Sequence, residues 1–158
     1  YGNRLSRAGG LTDSEAVCPA DRKWRGLLKY IYAENKKGAL QTMTNALYEA
    51  GINIWGSVTN DGAEYGINRM VVSDPDKAKE VLTERGYLCR FVDVLAVEIE
   101  DKPGALNTLL TALLDSNVNV DYTYLSFNRD SSTPVMILHT ADPEEVEICL
   151  KAKGFKMV

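Results

Sequence analysis

Residues 34–54, ENKKGALQTMTNALYEAGINI, return sixty-six positions later as residues 100–120, EDKPGALNTLLTALLDSNVNV. Nine of the twenty-one paired positions are identical: Glu34, Lys36, Gly38, Ala39, Leu40, Thr42, Ala46, Leu47 and Asn53 with their partners. A second echo sets SDPDKAKEVLTERGY, residues 73–87, against ADPEEVEICLKAKGF, residues 141–155, at an offset of sixty-eight, so two residues are inserted between the matched blocks. A unit of about sixty-six residues present twice is too long and too few for a solenoid or propeller, whose periods run about 20–50 residues. The chain therefore reads as two small duplicated modules, with residues 1–24 an irregular tail, 25–93 the first module and 94–158 the second.

Within a copy the local signals alternate. GLLKYIYA, residues 26–33, is a short apolar and aromatic run that stops at Asn35, Lys36, Lys37 and Gly38, a strand followed by a tight turn. Ala39, Leu40, Met43, Leu47 and Ala50 recur at three- and four-residue intervals up to Gly51, the pattern of an amphipathic helix. Residues 52–59 and 65–72 read as strands joined through Asn60, Asp61 and Gly62, residues that accept positive φ. Ser73, Asp74 and Pro75 open a second helix: either of the first two can cap it, and Pro75 sits where a missing N–H costs nothing. Residues 88–92 complete β-α-β-β-α-β. The second copy repeats the order with strands 94–100, 118–127 and 135–140, helices 104–116 and 143–153 and a last strand from Phe155; the insertion falls in the hairpin 128–133. No Gly, Pro or Ser linker separates the copies between Leu88 and Glu100, which predicts modules held rigidly against each other.

Composition narrows the function. The 158 residues are 45% hydrophobic and 25% charged, an ordinary globular balance. A formal charge of -4 gives no electrostatic footprint for a phosphate backbone, so no nucleic-acid partner is expected. Cys18, Cys89 and Cys149 are odd in number and far apart, fitting neither a disulfide framework nor zinc spacing. No apolar run approaches the ~18 residues of a membrane span, and residues 1–25 lack a signal-peptide core; a cytoplasmic location without membrane contact is expected. Tyr1 in place of a methionine is what a fragment, a processed product or a trimmed chain would show.

EDKPGAL at residues 100–106, the shifted ENKKGAL at 34–40, and GINI and NVNV after each first helix resemble the ACT domain, a βαββαβ ferredoxin-like module that binds amino acids and regulates metabolic enzymes. The resemblance covers about 130 residues, and DGAEYGINRMVVSDPDKA, residues 61–78, is further similar to stand-alone tandem ACT proteins. Copy one departs from the motif at Asn35 and Lys37, where Asp and Pro are usual. The resemblance implies an α+β fold of two such modules side by side. We expect them joined edge to edge into one sheet with all helices on one face. It also implies ligand contacts at Asn35, Gly38, Ala39, Leu40, Asn53 and Ile54 in copy one and Asp101, Gly104, Ala105, Leu106, Asn119 and Val120 in copy two.

The residues themselves leave two readings at each turn. A helix N-terminus presents unpaired N–H groups and partial positive charge, and glycine lets a carboxylate approach; alternatively Gly38 and Gly104 serve only the turn while Asn35 and Asp101 cap the helices. Asn53 and Asn119 can each bond a ligand or turn their amides onto the adjoining loop. Local charge favours the turn of copy one for an anion, because copy two places Asp101 at the position of the neutral Asn35 and copy one adds Lys36 and Lys37.

Catalytic chemistry finds no support. Phosphate-loop, Ser-His-Asp, Cys-His and paired-carboxylate patterns are absent. His139 stands alone in VMILHT, and Asp142, Glu144, Glu145 and Glu147 open a helix where negative charge is favourable. Tyr30, Tyr32, Tyr122 and Tyr124 alternate on strands as an RNA-stacking sheet would show, but without accompanying basic residues. The expectation is a non-enzymatic amino-acid sensor needing no cofactor or metal, acting as a homodimer or through a partner enzyme; the alternative is the regulatory part of an amino-acid-metabolism enzyme whose catalytic part is absent.

Overall fold

The computed structural model describes residues 28–34, 37–60, 65–128 and 130–158; the expected tail, Cys18, Asn35 and the Asp61–Gly62 turn lie outside them. Copy one runs β1 (Leu28–Glu34), α1 (Ala39–Glu49), β2 (Ile54–Asn60), β3 (Tyr65–Val72), α2 (Pro75–Glu84) and β4 (Leu88–Val92). Copy two runs β5 (Leu95–Glu98), α3 (Ala105–Asp115), β6 (Tyr122–Phe127), β7 (Pro134–His139), α4 (Pro143–Ala152) and β8 (Lys156–Met157). Each copy folds its strands into an antiparallel sheet, in the orders β2-β3-β1-β4 and β6-β7-β5-β8, which is the ferredoxin-like arrangement read from the repeat.

The expected single sheet is corrected: the described residues form two, and the helices do not share one face. Alternation along the strands shows why. Met70 and Val72 of β3 pack with Met43, Leu47 and Leu82 beneath α1 and α2, whereas Val71 points the other way. In copy two Met136 and Leu138 of β7 pack with Leu109, Leu113 and Leu150 beneath α3 and α4, whereas Val135 and Ile137 point away. The residues pointing away meet one another: Val71 joins Val94, Ala96, Tyr124, Val135 and Ile137 in a third core between the inner faces of the sheets. The order of layers is helices, sheet, sheet, helices. Only Asp93 and Val94 separate β4 from β5, and Val94 is buried in this middle core, so the connection itself folds one module onto the other.

The inner faces approach closely at β2 and β6. A Cβ built on Gly56 would lie 3.1 Å from both Cβ and Oγ of Ser126, and the Ser126 hydroxyl donates to the Trp55 carbonyl at 2.8 Å. A side chain at this position would press on Ser126, which would have to give by a few tenths of an ångström. Nearby, the Arg69 guanidinium of β3 lies 4.3 Å from the centroid of Tyr122 in β6, and Tyr122 stacks on His139 at 5.0 Å. Tyr124 is buried between the sheets, so the inner face that carries it is not open to a nucleic-acid base.

Candidate functional site

The four helices of the described residues begin in two different ways. α2 and α4 are capped: Asp74 accepts from the Lys77 amide at 3.1 Å and Asp142 from the Glu145 amide at 3.2 Å, with Pro75 and Pro143 in the first turn. α1 and α3 begin at Gly38 and Gly104, with φ of 86° and 90°, and neither has a side-chain cap. Capping of α3 by Asp101 is therefore corrected; the carboxylate is exposed and makes no bond to the helix. A residue with a Cβ is disfavoured at these φ values, which accounts for the glycine in both copies.

In α3 the Ala105 amide bonds the Lys102 carbonyl at 3.2 Å and the Thr108 amide bonds Gly104 at 2.9 Å, leaving the Leu106 and Asn107 amides without an acceptor among the described residues. The repeated threonine has its own role: Thr42 and Thr108 each donate their hydroxyl to the carbonyl of the turn glycine, at 3.0 and 3.1 Å. No signal beyond their identity in the repeat pointed to them.

The Gly104 end of α3 adjoins a cleft of about 420 Å³, lined among others by Glu98, Glu100, Lys102, Ala105, Thr133 and Lys156. Lys156 bonds both carboxylate oxygens of Glu98, at 2.9 and 3.1 Å, and Lys102 pairs with Glu100. The hydrogen bond from Lys156 holds the Glu98 carboxyl below the usual carboxylate range; burial opposes it, and bonds from Asn128 and Thr133 add to it. Glu98 and Lys156 face each other across β5 and β8, whereas the matching pair across β1 and β4 is Tyr32 and Leu88. The repeat could not reveal this ion pair, because it exists in one copy only.

The remaining predicted residues stand elsewhere. Asn53, Asn119 and Val120 precede their strands and Ile54 begins β2, so the predicted strands 52–59 and 118–127 start too early. The Asn53 amide N–H donates to the Ser73 hydroxyl at 3.0 Å, and the Asn119 side chain donates to Asp121 at 3.1 Å, which in turn holds Nδ1 of His139 at 2.8 Å. Gly104 and Asn119 lie at opposite ends of α3, whose eleven residues span about 16 Å; one small ligand does not reach both within a module. Asn119 adjoins a second cleft of about 470 Å³ with Ser116, Thr140, Asp142, Glu145 and Cys149. Among the described residues no group of three or more His, Cys, Asp or Glu could hold a metal ion, and no helix is long and apolar enough to cross a membrane.

Two antiparallel βαββαβ sheets, each with an uncapped glycine start to its first helix, agree with a family match that spans residues 27–157 and is described as an ACT domain pair. The chain belongs to the ACT domain pair family. Among solved structures, this ACT pair is similar to a protein from Bacteroides thetaiotaomicron, with 28% identity, coverage of 83% of this chain and 90% of the other, and a TM-score of 0.76. The ligand-free regulatory subunit of aspartate kinase from Thermus thermophilus is 17% identical over 79% of this chain and 87% of its own, with a TM-score of 0.57. The corresponding subunit from Thermus flavus gives 18%, 79%, 87% and 0.57. At those identities the last two show a shared fold. No curated protein matches the chain.

Proposed function

We propose that this ACT pair is a non-catalytic regulatory protein that binds a free amino acid at the glycine turn opening a first helix. The observation that carries the reading is the contrast among the four helices of the described residues: two are capped by aspartate, and the two that begin at Gly38 and Gly104 are not. An uncapped N-terminus offers amide donors and positive field to a carboxylate. At Gly104 the adjoining cleft carries both lysines and glutamates, the charges that a zwitterion requires.

The two turns are unequal, and local charge favours Gly38 for the carboxylate. In copy two Lys156 is already neutralised by Glu98, Pro103 stands where copy one has Lys37, and Asp101 adds a further negative charge. Copy one sets neutral Asn35 beside Lys36 and Lys37. Binding would act on a partner by favouring one arrangement of the modules, since a ligand shifts an equilibrium by its differential affinity for the two states. In the alternative reading that partner is the catalytic part of an amino-acid-metabolism enzyme, the relation that the name of the Thermus thermophilus subunit describes for that protein.

A thermal-shift screen against the twenty amino acids tests the proposal: a ligand at 100 times its dissociation constant stabilises by about 2.7 kcal/mol. No shift with any of the twenty would remove it. With a ligand in hand, calorimetry on Gly38→Asp and Gly104→Asp tests the inequality. The larger loss is expected at Gly38, and equal losses or a larger one at Gly104 would refute the argument from charge.

A further inference from the structure

At the far end of each first helix, away from the glycine turn, the two copies differ. In copy one Lys77, in the first turn of α2, donates from Nζ to the Ala50 carbonyl at the end of α1, at 2.7 Å. An ammonium group thus links the two helices at the negative end of α1, where a cation is favoured. Beside it Ser73 ties the loop before α2 to the exit of α1: its amide donates to the Asn53 carbonyl at 2.9 Å, and its hydroxyl accepts from the Asn53 amide at 3.0 Å.

In copy two these groups have changed. Glu145 stands in place of Lys77, Ala141 of Ser73, Ser116 of Ala50, and Thr140 of the buried Val72. The Ser116 carbonyl accepts no bond, and neither bond of Ser73 has a counterpart, among the described residues. What stands there is the cleft of about 470 Å³, whose lining holds the carboxylates of Asp142 and Glu145 and no basic residue. Thr140 lines the same cleft, is 2% exposed, and its hydroxyl has no hydrogen-bond partner among the described residues. Buried hydroxyls are almost always paired, so this one marks a place where a polar partner belongs.

We infer that this cleft of copy two binds a free alkyl diamine, one of whose primary ammonium groups takes the place that the Lys77 ammonium fills in copy one. An ammonium has three donors, and the Ser116 carbonyl, the Thr140 hydroxyl and the Glu145 carboxylate are the acceptors offered to them. Asp142 keeps one carboxylate oxygen beyond its cap bond for a second ammonium, and Val118 and Val146 give the methylenes between an apolar wall. A free amino acid is disfavoured here, because its carboxylate would meet two like charges and the negative end of α3. The amide end of α4 also borders the cleft, but Asp142 already answers it. A bare metal ion finds no group of three or more His, Cys, Asp or Glu among the described residues. The cleft lies at the end of α3 opposite Gly104 and is therefore separate from the glycine turn.

Titration of the full chain with the four-carbon diamine putrescine, followed by calorimetry and by amide chemical shifts, tests this. Saturable one-to-one binding is expected, with shifts at Asn119, Thr140 and Ala141 and none at Asn53, Ser73 or Lys77. Glu145→Lys restores the residue of copy one and supplies the ammonium internally, so it should weaken binding by more than about tenfold. Thr140→Val should weaken it by about threefold to tenfold, the range of one neutral hydrogen bond. Tetramethylammonium, which has the charge but no N–H, should bind at least about tenfold more weakly than putrescine. No binding of putrescine, equal binding of tetramethylammonium, or shifts gathered outside the cleft would each overturn the inference, and all three are read on the wild type, so they stand if a variant folds poorly. A cooperatively melting Glu145→Lys that binds putrescine undiminished would overturn it as well.

Discussion

Gly56 shows how much a single residue can carry without any chemistry of its own. A glycine inside an edge strand looks on propensity like a weakness that valine would mend. The Ser126 atoms 3.1 Å from its Cβ position reverse that expectation. Gly56→Val should destabilise by about 1–3 kcal/mol through overpacking, and Ser126→Ala by about 1 kcal/mol through loss of the bond to the Trp55 carbonyl; urea denaturation of the two variants measures both. A neutral or stabilising Gly56→Val would mean that the modules part easily at β2 and β6. Glu98 yields a prediction with a pH sign. Its folded pKa lies below the unfolded one, first because of Lys156. The stability it contributes is fully present above the unfolded value and is lost as pH falls through the folded one. Lys156→Met should therefore lower stability near neutrality, and the gap from wild type should close in strong acid. A gap that is constant with pH would show that lost packing by the lysine stem, not its charge, is responsible.

At the scale of elements, helix starts separate structural from available charge. Asp142 caps α4 and Asp101 caps nothing, although both are acidic residues next to a helix. Asp142→Ala should cost about 1 kcal/mol, while Asp101→Ala should stay within about 0.5 kcal/mol, as exposed substitutions do. Comparable losses in thermal melts would mean that Asp101 is bound to the helix in solution. The same ends explain what sequence could and could not show. The helices were legible within one or two residues because apolar period, Pro and Gly coincide there. The starts of β2 and β6 were not. Val118 and Val120 alternate like strand residues and pack against the core of copy two, yet the Val118 amide bonds back to Leu113 of α3 at 2.9 Å, as Ile52 does to Leu47. Alternation reports which residues are buried, and a helix exit can bury alternate residues without any ladder. Of the candidate site, the glycine turns were visible in the repeat. The Glu98–Lys156 pair was invisible, because its partners lie fifty-eight residues apart and only a register brings them together.

The arrangement of the whole molecule was written in a subtler signal than the repeat. Met70-Val71-Val72 and Val135-Met136-Ile137-Leu138 are unbroken apolar runs, and a strand of that kind needs cover on both faces. One sheet with helices on a single side would leave Val71, Val135 and Ile137 in water, so such runs argue for the face-to-face packing that the structure has. The consequence is a prediction about separability. Cutting between the copies exposes Val71 on one fragment and Val94, Ala96, Tyr124, Val135 and Ile137 on the other. At roughly 1.5–3 kcal/mol for each large side chain returned to water the loss is on the order of 10 kcal/mol, comparable with the 5–15 kcal/mol that holds a whole domain together. Residues 25–93 and 94–158 expressed apart should therefore aggregate or self-associate through the uncovered inner faces, and mixing or coexpressing them should recover a soluble pair with the melting transition of the intact chain. The uneven split of the core implies that the second fragment, which carries five of the six residues, is the less soluble. Two fragments that stay monomeric and melt cooperatively would show that each sheet is stable with its inner face bare, and the middle core would then be a contact between independent domains instead of a condition for folding.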